Sequence, residues 1–596
     1  MNKLSYEKIY SFNKTNLGNL LLLVAILIEV YWYLSLASVG FDMTDEGFAM
    51  NWIENPFEYK TGSSFFGYIY YPIYKILNEN IVYLRIFNFS VIFILSFILL
   101  KIILEKDKLL FKFQTLIVSL LVAFSSMNLY NFNFNFTPNY NSLNYIGILI
   151  SSIGLVNITY CNKENFFNWT LIILGVFITI LAKLPSGILL SVFILFILLF
   201  NNNLNIKKIV YITIIAIVLF LIFILSIDGT IHNFINRIVE GIYRRNLLSG
   251  NEEITSILSI DYRWNNSDLF WKSLFFTSII MVITKYFFTF FSQKFYFLFE
   301  ILISCSFIIL TLCTILSFLN FNLGINNPGL IMFSSFIAAT IIGLVNINKF
   351  QINRNKVILV TYFLILPHIF AIGSSNLNWE MASIASYFFL VSAVLVLMYL
   401  NIKDLYQSLI IISVFCNLLT LSIGNAAIEN PYRQSTSLKN QSTILKIDKV
   451  DNLYVDKTTS DFLVSVKNTF QDHDFNSKEP IIDLTGYSPG IIFMLDGISF
   501  GTPWYLGGYP GSDEYVTRVL KSIDCKTIMK AWLIVEKEGP RSIDLSILSE
   551  LGISYPLDYE LIGSAIVPKN YGGFNFERKQ LYYKPKKDND NILICQ

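Results

Sequence analysis

Long apolar runs, separated by short polar breaks, occupy the first 424 residues of the chain. Runs of about 18 or more apolar residues are long enough to cross a hydrocarbon core of about 30 Å. Reading the runs against the breaks predicts thirteen membrane-spanning helices, and hence a polytopic α-helical membrane protein. The predicted spans lie near residues 17–38, 82–104, 114–130, 141–160, 168–182, 184–200, 209–227, 269–291, 297–319, 329–347, 357–372, 382–401 and 406–424.

The distribution of basic residues between these runs predicts the orientation. If the N-terminus is cytoplasmic, the even-numbered loops carry most of the lysines, whereas the short loops 131–140, 320–328 and 373–381 carry no Lys or Arg. Positive charge favours the cytoplasmic side, so the N-terminus is predicted to be cytoplasmic. An odd number of spans then places the rest of the chain on the outer side, together with two long loops, 39–81 and 228–268.

The pattern changes after the last predicted span. Short strand-like segments (NLYV, IIDLT, AWLIVE and QLYY) alternate with turns rich in Gly, Pro and Asp. The chain is therefore expected to divide into a membrane domain, residues 1–428, and an extracytoplasmic α/β domain, residues 429–596. Cys525 and Cys595 lie in this second part. They are able to pair in an oxidising compartment, although two cysteines alone do not establish a bridge.

Composition supports a membrane protein and disfavours a nucleic-acid-binding one. Only 14% of the 596 residues are charged, and the formal net charge is +2. No basic patch interleaved with aromatic residues suggests nucleic acid as a partner. The first apolar run is too long for a signal-peptide core and lacks a small-residue cleavage site. It is therefore expected to remain as the first helix.

The stretch FDMTDEGFAM, residues 41–50, places three carboxylates directly after that helix. Adjacent carboxylates in a partly desolvated, aromatic setting differ in proton affinity, which suits one of them to act as a general base. Asp45 and Glu46 are the two candidates for this role. Asp42, nearest the bilayer, is expected to be a solvated edge residue. The competing interpretation is that all three carboxylates merely solvate the end of a helix.

With its position and topology, this stretch resembles the GT-C membrane glycosyltransferases. The resemblance is to the branch of protein O-mannosyltransferases and the lipid A aminoarabinose transferase (glycosyltransferase family 39-like). It rests on TDEGFAMNW opening a long outer loop, on Arg85 in VYLRIFNF, and on the predicted spans followed by an outer domain. The layout matches over nearly the whole chain, whereas the motifs match only in short patches.

The resemblance implies a reaction and a location. A sugar carried on a polyprenyl phosphate would pass, with inversion, to an acceptor hydroxyl on a glycan, lipid or protein at the outer face of a bacterial inner membrane. Asp45 would deprotonate or orient the hydroxyl, and Glu46 would position it or balance charge. The lipid-linked sugar is a substrate, so no cofactor is expected. The histidines lack metal-ligand spacing, which predicts metal-independent catalysis.

A departing phosphate needs cationic stabilisation, and the few outer cations are the candidates for it. Arg85, Lys183, Arg244 and Arg245 are predicted to bind the donor phosphate, with Arg237 and Arg263 in the same second long loop. Each is alternatively explained by anchoring at the membrane surface.

Two polar patches with aromatic residues are candidates for sugar or acceptor binding. They supply Asn139 and Tyr140 in NFTPNYNSLNY, and Asn376 in AIGSSNLNWE. Polar turns are the alternative interpretation of both patches.

Two other functions stay open. The chain could be a polysaccharide or lipid-linked sugar flippase or another transporter, a class that tends to place ionisable residues at mid-bilayer depth and to show internal repeats. No convincing repeat is visible, and the charges cluster on one face. It could also be a GT-C-like scaffold whose C-terminal domain binds a partner without chemistry. The sequence does not name the sugar, the acceptor, the role of the C-terminal domain or the oligomeric state.

Overall fold

The computed structural model describes residues 3–59, 62, 64–106, 110–131, 135–248, 354–373, 384–398 and 405–586. Predicted spans near 269–291, 297–319 and 329–347 lie outside these residues. Residues 249–268 of the second long loop, which include Arg263, also lie outside them, as does Asn376 in the loop before the twelfth predicted span.

Apolar helices dominate the described residues up to Glu429, which confirms a polytopic helical membrane protein. Within the described residues, six helices are long and apolar enough to cross a membrane, and four further apolar helices are shorter. The six are Leu17–Ser38, Ile81–Glu105, Lys112–Asn131, Tyr140–Thr159, Ile206–Asp228 and Leu409–Glu429; the shorter four are Phe166–Ala182, Leu184–Phe200, Asn355–Ala371 and Tyr387–Val396. The boundaries agree with the predicted ones to within a few residues.

The helices of this part are numbered in chain order. They are α1 (Lys3–Ser35), α2 (Asp45–Glu54), α3 (Phe66–Ile76), α4 (Ile81–Glu105), α5 (Lys112–Ala123), α6 (Asn128–Asn131), α7 (Tyr140–Thr159), α8 (Phe166–Ala182), α9 (Leu184–Phe200), α10 (Ile206–Asp228), α11 (Ile231–Leu248), α12 (Arg354–Ala371), α13 (Tyr387–Met398) and α14 (Leu405–Glu429). The first long loop, residues 39–81, is thus largely helical through α2 and α3. The second long loop contains α11.

The C-terminal region (residues 430–586) is built around one mixed sheet. Its strands are β1 (Thr443–Ile444), β2 (Tyr454–Val455), β3 (Ile481–Asp483), β4 (Trp532–Val535), β5 (Tyr559–Val567) and β6 (Arg578–Pro585). The main sheet has the order β3-β4-β6-β5, in which only β3 and β4 are parallel, while β1 and β2 pair separately. Its helices are α15 (Lys457–Gln471), α16 (Pro489–Met494), α17 (Ser512–Lys521), α18 (Cys525–Met529) and α19 (Ser546–Glu550). Cys525 is disulfide-bonded, and its predicted partner Cys595 lies outside the described residues.

The first long loop and the C-terminal region share one hydrophobic core. Phe41, Met43 and Met50 of the loop are buried in the same cluster as Ile491 and Trp504 of the C-terminal region. Nearly every residue of α2 is buried. The C-terminal region therefore covers α2.

Candidate functional site

Asp42 caps the helix that carries the other two acidic residues. Its carboxylate accepts the backbone N–H of Thr44 at 2.9 Å and that of Asp45 at 3.0 Å, which satisfies donors at the start of α2. Burial raises the pKa of Asp42 to about 7, and the charge of Asp45 acts in the same direction. The side chain is only 4% exposed, so the expected solvated edge residue is instead a buried cap.

Glu46 is buried and bound on both carboxylate oxygens. Its Oε1 accepts hydrogen bonds from Arg85 Nε at 3.0 Å, from Arg85 Nη2 at 2.6 Å and from the Thr137 hydroxyl. Its Oε2 accepts the backbone N–H of Asp42 at 3.0 Å. Glu46 therefore fixes the geometry of the acidic stretch from beneath and does not face a substrate.

All three nitrogens of the Arg85 guanidinium donate hydrogen bonds in the same network. Besides Glu46, its guanidinium donates to the carbonyls of Ala37 at 2.7 Å and Gly40 at 2.9 Å, and to the hydroxyl of Thr137 at 3.1 Å. The residue is 3% exposed. A phosphate would have to displace these acceptors, so the geometry gives Arg85 a structural role in place of the predicted phosphate-binding one.

Asp45 differs from its neighbours because its carboxylate is open. Its side chain is 42% exposed and lies 3.5 Å from Nη1 of Arg433, measured from Oδ2. It also lines a small cleft that is partly open to solvent. Of the three acidic residues, only Asp45 can meet a reactant without unfolding the loop.

Arg433 lies just beyond the last membrane helix and binds the acidic stretch directly. Its Nη1 donates to the Thr44 hydroxyl at 2.8 Å, and its guanidinium lies over the ring of Tyr432. Burial raises the pKa of Asp45, whereas the positive charges of Arg433 and Arg541 act against this rise. A carboxylate shifted toward neutrality beside a cation is suited to accept a proton and to release it again.

The opposite wall of the cleft is polar and aromatic. Asn139 and Asn141 line it together with Tyr130. The side-chain oxygen Oδ1 of Asn139 caps α7 by accepting the backbone N–H groups of Asn141 and Ser142. The buried Tyr130 hydroxyl and Asn141 Oδ1 have no hydrogen-bond partner among the described residues. Because unpartnered buried polar atoms are costly, these two are positioned to bind a polar ligand or water.

Lys183 and Tyr140 lie beside the cleft wall without lining it. Lys183 is 4% exposed, and its ammonium donates to the Phe370 carbonyl at 3.2 Å, near the C-terminus of α12. A cation at this end of a helix satisfies a terminal carbonyl and the helix dipole. The ammonium also lies 5.3 Å from the centroid of the Tyr140 ring. Both residues thus support the wall that carries Phe370.

The buried arginines of α11 form ion pairs away from the Asp45 cleft. Arg237 forms a bidentate pair with Asp228, and Arg244 pairs with Glu240 at 2.9 Å. The same Glu240 binds Arg518 of α17 at 2.6 Å, which joins α11 to the C-terminal region. Neither Arg244 nor Arg245 lines the Asp45 cleft.

An arginine cluster in the C-terminal region was missed by sequence reasoning. Guanidinium carbons lie 5.6, 5.1 and 5.1 Å from the Tyr487 ring centroid, for Arg433, Arg541 and Arg578 respectively. The sequence-based prediction considered only cations in and between the predicted spans, which excludes the C-terminal region. The signal available was the pair Tyr432–Arg433, which directly follows the last span.

No family model matches the chain, and no curated protein matches it. Within the described ranges, no group of three or more His, Cys, Asp or Glu side chains is arranged to hold a metal ion.

Proposed function

We propose that the protein is a polyprenyl-phosphate-sugar-dependent glycosyltransferase of the inner membrane that works at the outer face. The observation that carries the proposal is the contrast within one short stretch. Asp42 and Glu46 are buried and fully bonded, whereas Asp45 opens into a polar cleft beside Arg433. Such an arrangement combines a base, a cation and hydrogen-bonding groups for a hydroxylated ligand.

The proposed reaction is a single displacement. The acceptor hydroxyl gives its proton to Asp45 as its oxygen bonds to the anomeric carbon. The bond from that carbon to the phosphate oxygen breaks, and polyprenyl phosphate leaves with the electron pair. Attack opposite the leaving group inverts the anomeric centre. The guanidinium of Arg433, beside Asp45, is suited to offset the charge that develops on the phosphate.

The proposed topology has thirteen spans, a cytoplasmic N-terminus and an extracytoplasmic C-terminal domain. It is supported by the one-sided distribution of lysines and by the fusion of the first long loop with the C-terminal region. The partners are then a lipid-linked sugar, a glycan, lipid or protein acceptor, and membrane lipids.

The test is sugar transfer by the Asp45→Asn variant. Purified full-length protein in lipid nanodiscs is given radiolabelled polyprenyl-phosphate hexoses and an envelope extract as acceptor. Loss of a general base should reduce transfer about 10²–10⁴-fold, with an unchanged melting temperature. Asp448→Asn, a change at a fully exposed aspartate, is the matched control and should retain transfer. Full transfer by Asp45→Asn would remove the base assignment.

The flippase or transporter alternative has one observation in its favour. Glu29 is buried within a membrane helix, and Asn417 donates to its carboxylate at 3.2 Å. Buried intramembrane carboxylates are common in ion and substrate pathways. Movement of a fluorescent lipid-linked sugar across the bilayer that is lost in Glu29→Gln but kept in Asp45→Asn would favour transport.

A further inference from the structure

Three glycines fix the backbone of Arg541 in the C-terminal region. A β-carbon at either Gly486 or Gly507 would overlap the Arg541 carbonyl oxygen, and one at Gly508 would come within 2.8 Å of Arg541 Cγ. Gly486 and Gly508 also have φ angles of +68° and +81°, which disfavour other residues. Two separate turns thus pack directly against Arg541 and fix the position of its backbone.

The Arg541 guanidinium has no anionic partner among the described residues. It lies 5.1 Å from the Tyr487 ring centroid and 5.6 Å from that of Tyr509, with no hydrogen bond or ion pair to another described residue. The neighbouring arginine of the cluster, Arg578, is buried and paired with Glu536 at 3.3 Å. Arg541 is only half-buried and keeps its five N–H donors for a ligand.

This free cation acts on the same site as Asp45. Its guanidinium lies over the same Tyr487 ring as that of Arg433, which is 3.5 Å from Asp45. Its charge also opposes the rise in the pKa of Asp45. Aromatic rings on two sides orient the planar guanidinium, and a guanidinium matches the spacing of phosphate oxygens. Arg433, by contrast, already uses its Nη1 for Thr44 and Asp45.

We infer that Arg541, held between Tyr487 and Tyr509, binds the phosphate group of a lipid-linked substrate on the Arg433 side of Asp45. The inference rests on the proposed function for the identity of the lipid carrier, and it gives the C-terminal region a direct part in substrate binding. The shared chemistry is a phosphate monoester or diester, and the arms of the experiment distinguish a lipid phosphate from a soluble one.

The test measures binding instead of turnover. Full-length protein carrying Asp45→Asn is placed in nanodiscs and titrated with polyprenyl phosphate, or with inorganic phosphate in solution, while tryptophan fluorescence is followed. Adding Arg541→Gln should weaken polyprenyl phosphate binding at least about tenfold, whereas Arg541→Lys should recover part of it. Arg518→Gln removes an arginine that is 46% exposed and should change neither affinity.

The outcomes separate this inference from the proposed reaction. Weaker binding of polyprenyl phosphate alone supports a lipid-carried phosphate, and weaker binding of both probes supports a site for soluble phosphate. Both results stand even if Asp45→Asn retains transfer. Equal affinity of the Arg541→Gln variant and its parent for both probes, at an unchanged melting temperature, would overturn the inference.

Discussion

Asp45 and Glu46 are neighbours in the chain and yet do different work. The first turn of α2 directs Glu46 inward to Arg85 and Thr137, and leaves Asp45 at the mouth of the cleft. The two acids therefore have different surroundings. Glu46 is held by charge-assisted hydrogen bonds, whereas Asp45 faces water and pairs with Arg433. Preorganisation of Asp45 thus depends on residues that never meet the substrate.

The charge of Arg433 should set the pH range in which Asp45 works. Replacing it by Gln removes a cation that favours the Asp45 carboxylate, so the pKa of Asp45 rises further and the base is protonated at higher pH. The acid limb of kcat/KM against pH should therefore move to higher pH. Transfer at the optimum should also fall about ten- to hundredfold, because the phosphate loses a charge-assisted contact.

Arg518→Gln is again the comparison, since Arg518 pairs with Glu240 away from the cleft. Its acid limb should coincide with that of the unsubstituted protein. An acid limb that stays in place or moves to lower pH in Arg433→Gln would show that Asp45 is not the group titrating.

The residues themselves identify the acidic stretch, but only the resemblance to a family assigns roles to its members. The adjacency of Asp45 and Glu46 is visible in the chain, and it drew attention to the loop. Their roles depend on Arg85 and Arg433, which are distant in sequence and reach the loop only through tertiary contacts. Local pattern carries no information on which of two adjacent carboxylates will be buried.

At the scale of elements, α2 and α16 approach each other through a pair of glycines. A β-carbon at Gly47 would overlap the backbone of Gly490, and one at Gly490 would lie 2.6 Å from Met43 Cα. Gly490 also donates its N–H to the Met43 carbonyl at 2.7 Å. The glycine that follows the Asp45–Glu46 pair is therefore needed for packing, and it brings the C-terminal region against the acidic stretch.

Gly47→Ala should destabilise the protein in spite of the better helix propensity of alanine. Propensity contributes at most about 1 kcal/mol, whereas overpacking against backbone atoms costs about 1–3 kcal/mol and no side-chain rotation relieves it. Thermal unfolding in detergent should show a lower melting temperature, and hydrogen exchange should be faster in α2 and α16.

Gly241→Ala in α11 tests the same substitution in a roomier setting, where the nearest atom would be 3.1 Å away. Its melting temperature should change less than that of Gly47→Ala. If Gly47→Ala were as stable as the unsubstituted protein, the close approach of α2 and α16 would not hold.

The elements themselves were largely predictable. Apolar runs gave the membrane helices, and short β-rich segments gave β2, β3, β4 and β6. The long strand β5 was missed because most of its side chains are exposed or half-buried, so it lacks a clear alternation of apolar residues. As the edge strand it needs only one hydrogen-bonded neighbour and shows a weaker hydrophobic signal.

At the scale of the whole molecule, a charged cluster fastens the C-terminal region to the first long loop. Glu54 of α2, with a side chain only 2% exposed, pairs with Lys449 and with Lys478 at 2.7 Å. Asp496 bridges the same lysines at 3.1 and 2.9 Å. With the shared hydrophobic core, this cluster makes the site a joint product of two distant parts of the chain.

Glu54→Gln should weaken this attachment. Removing one partner of a buried ion pair costs about 3–5 kcal/mol, and the low end applies because Lys478 is 41% exposed. Glu550→Gln breaks an exposed pair with Lys521 and should cost at most about 1 kcal/mol.

In nanodiscs, hydrogen exchange should accelerate in both α2 and α16 for Glu54→Gln alone. Transfer should fall with it, because Asp45 and Arg541 are brought together only while the two parts stay docked. Unchanged exchange in Glu54→Gln would mean that the hydrophobic core alone holds the C-terminal region in place.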